Sequence, residues 1–290
     1  VVGHDGREDA RSFTETAQVG LRLEALAEIT AVKREKQAAI VHDWQNKWAL
    51  EGSCGPRNAG MGYWDELKRH YNALAREGIA VEFVDQNADL TGYGLVVVPM
   101  LYLLTDAFAK KLCAFAQSGG TVIVTYWSGV VDESDLCRLG DTPYGLTELL
   151  GLRRTEIDGM YDGETRRCMS AAGCTLPAAQ ASTLCEVAAL DEENPAEPLS
   201  LYEEDYFAGH PAAAGHRYVK GLAYYLASRF DEAFYRAFYH DAAKEIGLSP
   251  AWPEALPEGV LAVRRGSFVF VQNCTEQPVT VGNTVLERYR

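Results

Sequence analysis

The 290-residue sequence carries 27 Lys and Arg against 41 Asp and Glu, a formal net charge of −14, with 47% hydrophobic and 23% charged residues. Such a composition is that of a globular chain, with room for one large domain or two or three smaller ones. The acidic balance argues against nucleic acid and anionic membrane partners, which need clustered Lys and Arg, and no apolar run approaches the ~20 residues that span a bilayer.

Taken in chain order, the sequence opens on VVGHDGREDA, which lacks a Met and has neither the basic start nor the long apolar core of a signal peptide. Glu8 to Ile29 follows as an amphipathic helix, with Phe13, Ala17, Gly20, Leu21, Leu23, Leu26 and Ala27 mostly at three- and four-residue steps. Nothing before it supplies the surface its apolar face would cover, so it reads as the last piece of something larger. Ala31 to Gln37 is a charged connector. AAIV at 38–41 starts a strand, with His42, Asp43, Trp44 and Trp48 behind it, and Glu51 to Gly62 is a long loop rich in turn formers. Tyr63 to Arg76 is a second helix closed by Gly78, and Ile79 to Val84 is a second strand.

The run Leu95-Val96-Val97-Val98 lies between Gly94 and Pro99. Four apolar residues in a row, three of them β-branched, argue a strand buried on both faces, as in parallel sheets covered by helices. Asp106 to Ser118 has helical spacing with Thr105 or Asp106 as its cap, and TVIVTY at 121–126 is the next strand. This strand–helix–strand unit places Val96 and Val122 on neighbouring parallel strands. The expected fold class is α/β: an open, mostly parallel sheet with helices on both faces.

Trp127 to Asp141 reads as a loop and Pro143 to Leu150 as a short helix. Leu152 to Leu199, with its Ala-rich stretch, shows no clear period. Ser200 to Phe207 is a strand candidate, and His216 to Ala227 is a hairpin or a sheet edge. Asp231 to Ile246 is a helix with Asp231 as cap and Gly247 as stop. Pro250, Pro253 and Pro257 mark a linker. Short strands at 259–263, 267–272 and 278–281, the first two joined by an Arg265-Gly266 turn, make a small all-β tail.

The chemistry-bearing residues are sparse. None of the seven cysteines forms a CxxC pair or zinc spacing, so reduced thiols and no metal are expected. Asn273-Cys274-Thr275 is a glycosylation sequon that would matter only in a secreted protein. Ser128 follows the strand end where open α/β sheets place ligands, but the GxSxG elbow is missing and neither His210 nor His216 is singled out as a partner. Asp132, Glu133 and Asp135 read as a solvated acidic face. Trp44 and Trp48, with His42 and Asp43, resemble a sugar-stacking surface; packing at the sheet end or a subunit interface would use the same residues. No GxGxxG or phosphate loop is present, and no cofactor is expected.

HDGREDARSFTETAQVG (4–20), DWQNKWALE (43–51), VEFVDQNADLTGYGLVVVPMLYLLT (81–105) and GGTVIVTYWSGVVDESD (119–135) resemble β-galactosidases of glycoside hydrolase family 42. YVKGLAYYLASRFDEAF (218–234) and VLAVRRGSFVFVQNCTEQPVTV (260–281) are similar to later segments of the same family. The resemblance implies the last helix of a (β/α)₈ barrel over 1–31, an α/β trimerisation domain over 32–248 and a small β C-terminal domain over 249–290. The implied middle domain is class I glutamine-amidotransferase-like, or flavodoxin-like, without that fold's nucleophilic Cys. The implied chemistry is retaining hydrolysis of terminal β-D-galactosides by two glutamates on barrel strands upstream of Val1. No catalytic residue or metal ligand is therefore expected within the chain. The implied partners are further copies of the chain, as a cytoplasmic bacterial homotrimer, and a galactoside. His4, Trp44, Trp48 and Trp127 are the substrate-proximal or interface candidates, and Pro99 to Leu104 is the sheet edge where contact is expected. The rival readings are a stand-alone amidotransferase-like hydrolase using Ser128 or a Cys, and a carbohydrate-binding module.

Overall fold

The computed structural model describes residues 4, 6–32, 35–53, 55–57 and 60–288. Cys54 and parts of the connector and of the first long loop lie outside them. Helix α1 (Arg11–Ala25) and a 3₁₀ turn (Ala27–Ala31) come first, then β1 (Ala38–Val41), α2 (Trp44–Gly52), α3 (Tyr63–Arg76), β2 (Val81–Val84), β3 (Leu95–Val98), α4 (Asp106–Gln117) and β4 (Thr121–Thr125). Side-chain caps start two of these helices. Asp43 accepts the backbone N–H groups of Gln45 and Asn46 at the head of α2, and Thr105 accepts that of Phe108 at the head of α4. Gly78, at φ +68°, ends α3 in the left-handed conformation that glycine adopts freely.

After β4 the chain makes α5 (Thr147–Leu150), β5 (Leu152–Gly159), β6 (Thr165–Ser170), β7 (Ala179–Leu190), β8 (Glu197–Tyr202), β9 (Pro211–Tyr218), β10 (Gly221–Leu226) and β11 (Ser228–Phe230), and then α6 (Glu232–Glu245). All eleven strands join one sheet, ordered β11-β7-β6-β8-β9-β10-β4-β3-β1-β2, with β5 also on β7. Val96 and Val122 are direct register partners, as their βαβ unit requires.

The sheet is mixed, which corrects the expectation of a mostly parallel one. Only β2, β1, β3, β4 and β10 run parallel; every pairing from β10 outward to β11 is antiparallel. Short turns link most strands between 152 and 226, with no crossover helix among them, and a turn can only return the chain antiparallel. The hairpin at 216–227 is β9–β10, in the middle of the sheet and not at an edge. Its turn presses on α4: a Cβ at Gly221 would lie 2.2 Å from the Gly120 carbonyl oxygen and 2.4 Å from that of Ala116.

Alternation along the parallel strands divides the core. Ile40, Leu95, Val97 and Ile123 pack with Leu67 and Leu74 of α3 and Phe234 and Phe238 of α6. Ala39, Val41, Val96, Val98, Val122 and Val124 pack on the other face with Phe108, Leu112 and Ala116 of α4. Helices therefore cover both faces of this half, as expected. Fully burying one such side chain contributes roughly 1.5–3 kcal/mol.

The tail forms two separate hairpins, β12 (Val260–Arg265) with β13 (Phe268–Asn273) and β14 (Val279–Val281) with β15 (Thr284–Leu286). Asn273 is fully buried, and its amide donates to the carbonyl oxygens of Gln277, Leu286 and Glu287. At the other end, α1 buries none of its residues; Val19, Leu21 and Leu23 are each more than half exposed.

Candidate functional site

The carboxyl ends of the parallel strands gather the aromatic residues. β1 ends at His42, and Asp43 caps α2, so Trp44 and Trp48 fall four residues apart on one helix face. α3 begins at Tyr63-Trp64 directly opposite. Trp44 lies 6.2 Å from Trp48 and 5.9 Å from Trp64 between ring centroids, and His42 stacks on Trp64 at 4.8 Å. Trp44, Trp48 and Trp64 are 53%, 61% and 43% exposed, a contiguous aromatic face on the surface. Beside it runs a cleft of about 620 Å³ bordered by Lys47, Leu50, Glu51, Met61, Tyr63 and Trp64. Burial lowers the His42 pKa from its ordinary value, so the ring is neutral at pH 7 and stacks as an aromatic.

Trp44 and Trp48 are thus brought together, and the structure adds Trp64 from the first turn of α3. Trp127 sits apart. It is 7% exposed, stacks on Tyr102 at 5.6 Å and takes a left-handed backbone, φ +59°. His4 is exposed in a turn and makes no ring contact with the cluster among the described residues. The Pro99–Leu104 segment is buried, contrary to expectation. The N–H groups of Met100, Leu101 and Leu103 donate to the side chains of Thr125, Ser128 and Asn46, which saturate the segment from within the chain.

Ser128 is accordingly a strut. It is fully buried, and its Oγ accepts the Leu101 N–H at 3.0 Å. Asp132 is spent on its own loop, accepting from the N–H groups of Ser134 and Leu136, and Glu133 faces Arg138. No group of His, Cys, Asp and Glu suited to a metal occurs among the described residues, and no described helix is long and apolar enough to cross a membrane.

Two buried carboxylates escaped the sequence reading. Glu66 of α3 accepts from Arg229 of β11 at 2.7 Å and from the Tyr235 hydroxyl at 2.7 Å, with His70 Nε2 at 3.2 Å. Burial by itself would raise its pKa; hydrogen bonding and charge from His70, with Arg229 and Tyr235, outweigh that and hold it at about 2. Arg229 also donates to Tyr126 and to the carbonyl oxygens of Met61 and Gly62, fixing the entry to Tyr63-Trp64. On the opposite face Glu186 of β7 accepts from Arg154 at 2.7 Å, from the Trp127 N–H at 2.9 Å and from the Tyr225 hydroxyl. The available signal was Glu66 one turn before His70 on an otherwise apolar helix face.

The family profile of the β-galactosidase trimerisation domain matches residues 36–249. The chain belongs to this family of glycoside hydrolase family 42 β-galactosidases. Among family relatives, β-galactosidase BglY of Alicyclobacillus acidocaldarius is 43% identical over 96% of the chain, and GalA of Bacillus licheniformis 36% over 98%. The chain spans only 41% and 42% of their lengths. A cold-adapted β-galactosidase from Rahnella sp. R3 superimposes with TM-score 0.91 at 38% identity, covering 99% of the chain and 45% of that structure. Gan42B, a family 42 β-galactosidase from G. stearothermophilus, gives 0.87 at 30% identity, covering 100% of the chain and 44% of that structure.

Proposed function

We propose that the chain is the assembly region of a β-galactosidase that hydrolyses terminal β-D-galactosides with retention, and that it acts by self-association into a homotrimer. In this reading residues 1–31 are the end of a catalytic barrel, 32–248 the amidotransferase-like trimerisation domain and 249–290 a small β domain. The reaction's glutamates belong to sequence outside these residues, and the aromatic face of Trp44, Trp48 and Trp64 meets a neighbouring subunit, where it also walls the sugar site. The observation that carries the reading is an exposed tryptophan cluster on a chain matched by a trimerisation-domain profile. Trp is the residue type most enriched at interface centres, and its ring face also suits a pyranose.

Sedimentation of the purified chain tests it. The expected result is a trimer that dissociates on dilution. Trp44→Ala and Trp64→Ala should each weaken association roughly tenfold or more, with unchanged circular dichroism and no hydrolysis of a nitrophenyl β-galactoside by any form. A concentration-independent monomer would refute self-association, and turnover sensitive to substitution of Ser128 would favour the stand-alone hydrolase.

A further inference from the structure

Helices α3 and α6 enclose Glu66 and His70 between their inner faces. Their outer edges form a different feature, a cleft of about 190 Å³ lined by Arg69, Asn72 and Arg76 of α3 and Glu232, Tyr235 and Arg236 of α6. Residues 69, 72 and 76 recur at steps of three and four and make one stripe; 232 and 236 are one turn apart on the facing helix. Arg76 is already matched, by Glu232 inside the cleft and by Glu258 beside it. Arg69 and Arg236 are exposed and have no hydrogen-bond or ion-pair partner among the described residues. Elsewhere Arg57, Arg138, Arg154, Arg166, Arg217 and Arg229 each face a carboxylate, while Arg22 and Arg153 also stand without a partner among the described residues. What sets Arg69 and Arg236 apart is that both border one cleft, with a third arginine beside them.

We propose that this cleft binds a compact dianionic oxyanion, either inorganic phosphate or the phosphate group of a phosphomonoester. Arg76 is held by its two carboxylates, and Arg69 and Arg236 bring two guanidinium charges with no carboxylate on them, which match a phosphate carrying about −1.5 to −2 at neutral pH better than a single carboxylate would. Guanidinium forks present paired donors in the geometry that phosphate oxygens accept, and the Asn72 amide adds a neutral donor. A volume of 190 Å³ holds about six waters, room for one such group with part of its hydration shell. The anion would join α3 to α6 from outside, as the Glu66–Arg229 pair joins α3 to β11 from within.

Isothermal titration of the full chain with sodium phosphate, at fixed ionic strength in chloride, tests the site. A hexose monophosphate and the parent hexose serve as parallel ligands. The expected result is saturable one-to-one binding of phosphate or of the hexose monophosphate, and none of the hexose. Equal affinity for the two assigns the site to the inorganic ion; tighter binding of the hexose monophosphate assigns it to a phosphomonoester. Arg69→Gln and Arg236→Gln should each weaken binding roughly tenfold, the worth of one charge-assisted contact. Arg217→Gln, an exposed arginine paired elsewhere with Glu245, should not. The proposal is overturned if neither phosphate ligand binds saturably, if both cleft variants bind as the parent does, or if Arg217→Gln loses as much affinity as they do.

Discussion

The two halves of the sheet, parallel β2-β1-β3-β4-β10 and antiparallel β9-β8-β6-β7-β11 with β5, are built by different rules. The parallel half is sandwiched between helices, so its strands are apolar on both faces, and it carries the tryptophan face at its carboxyl ends. In the antiparallel half strand neighbours and hairpin turns do most of the organising. Beyond the β9–β10 ladder and an apolar core that spans both, two polar clamps join them. Glu66 of α3 holds Arg229 of β11, and Glu186 of β7 holds the backbone after β4 together with the Tyr225 hydroxyl of β10. One clamp lies on each face of the sheet, so the halves are one folding unit despite their unlike construction.

The largest effect is expected at the first clamp. Arg229→Met leaves the Glu66 carboxylate buried without its ion-pair partner and should destabilise the chain by about 3–5 kcal/mol. Adding Glu66→Leu should recover most of that loss, because an apolar pair of similar volume often replaces a buried ion pair at little cost. Urea unfolding reads both. Four of the five tryptophans lie in the parallel half and its loops, the fifth being Trp252, so fluorescence reports that half while far-ultraviolet circular dichroism reports both. Coincident transitions sharpen the picture of one unit, and separated ones break it.

Acid should weaken the same clamp. The Glu66 carboxyl has a folded-state pKa of about 2, below its ordinary 4.5, so its contribution is present above pH ~4.5 and is lost as pH falls toward 2. The difference corresponds to about 3 kcal/mol. Glu66→Gln should flatten this part of the stability–pH profile, and an unchanged profile would place the acid sensitivity elsewhere. The smallest effect is local: Thr105→Ala removes the cap of α4 and should cost about 1 kcal/mol by urea unfolding. Loss of several kcal/mol there would mean that α4 supports more than the parallel half.

The same contrast governs how much could be read from the sequence. LVVV at 95–98 and TVIVT at 121–125 announce strands buried on both faces, and Tyr63 to Arg76 announces its helix to the residue, because periodicity and the Gly78 stop agree. β7 could not be read. AQASTLCEVAAL has weak strand formers at half its positions, and it is a strand because β5, β6 and β11 pair along it and cover small side chains. α2 was missed because its nine residues carry almost no apolar stripe; its cap and the buried Asn46 hold it in place. At the site, Trp44 and Trp48 were legible as an aromatic pair beside His42 and Asp43 after the first strand, whereas Trp64 joins them only through the packing of α3 against β1.

The long excursion between β4 and β10 bears on synthesis. β4 pairs with β3 as soon as both exist, but its other edge waits for residues 221–226, after everything from 126 to 220 has been made. Until then Val122, Ile123 and Val124 border an open apolar edge, the kind that recruits strands from other chains. Loop closure over that distance also places the central pairing late in folding. A nascent or shortened chain ending before Leu226 is therefore aggregation-prone at its own centre, and any dissection of this molecule into smaller pieces has to keep residues 38 to 245 together, since Arg229 and α6 complete the same core.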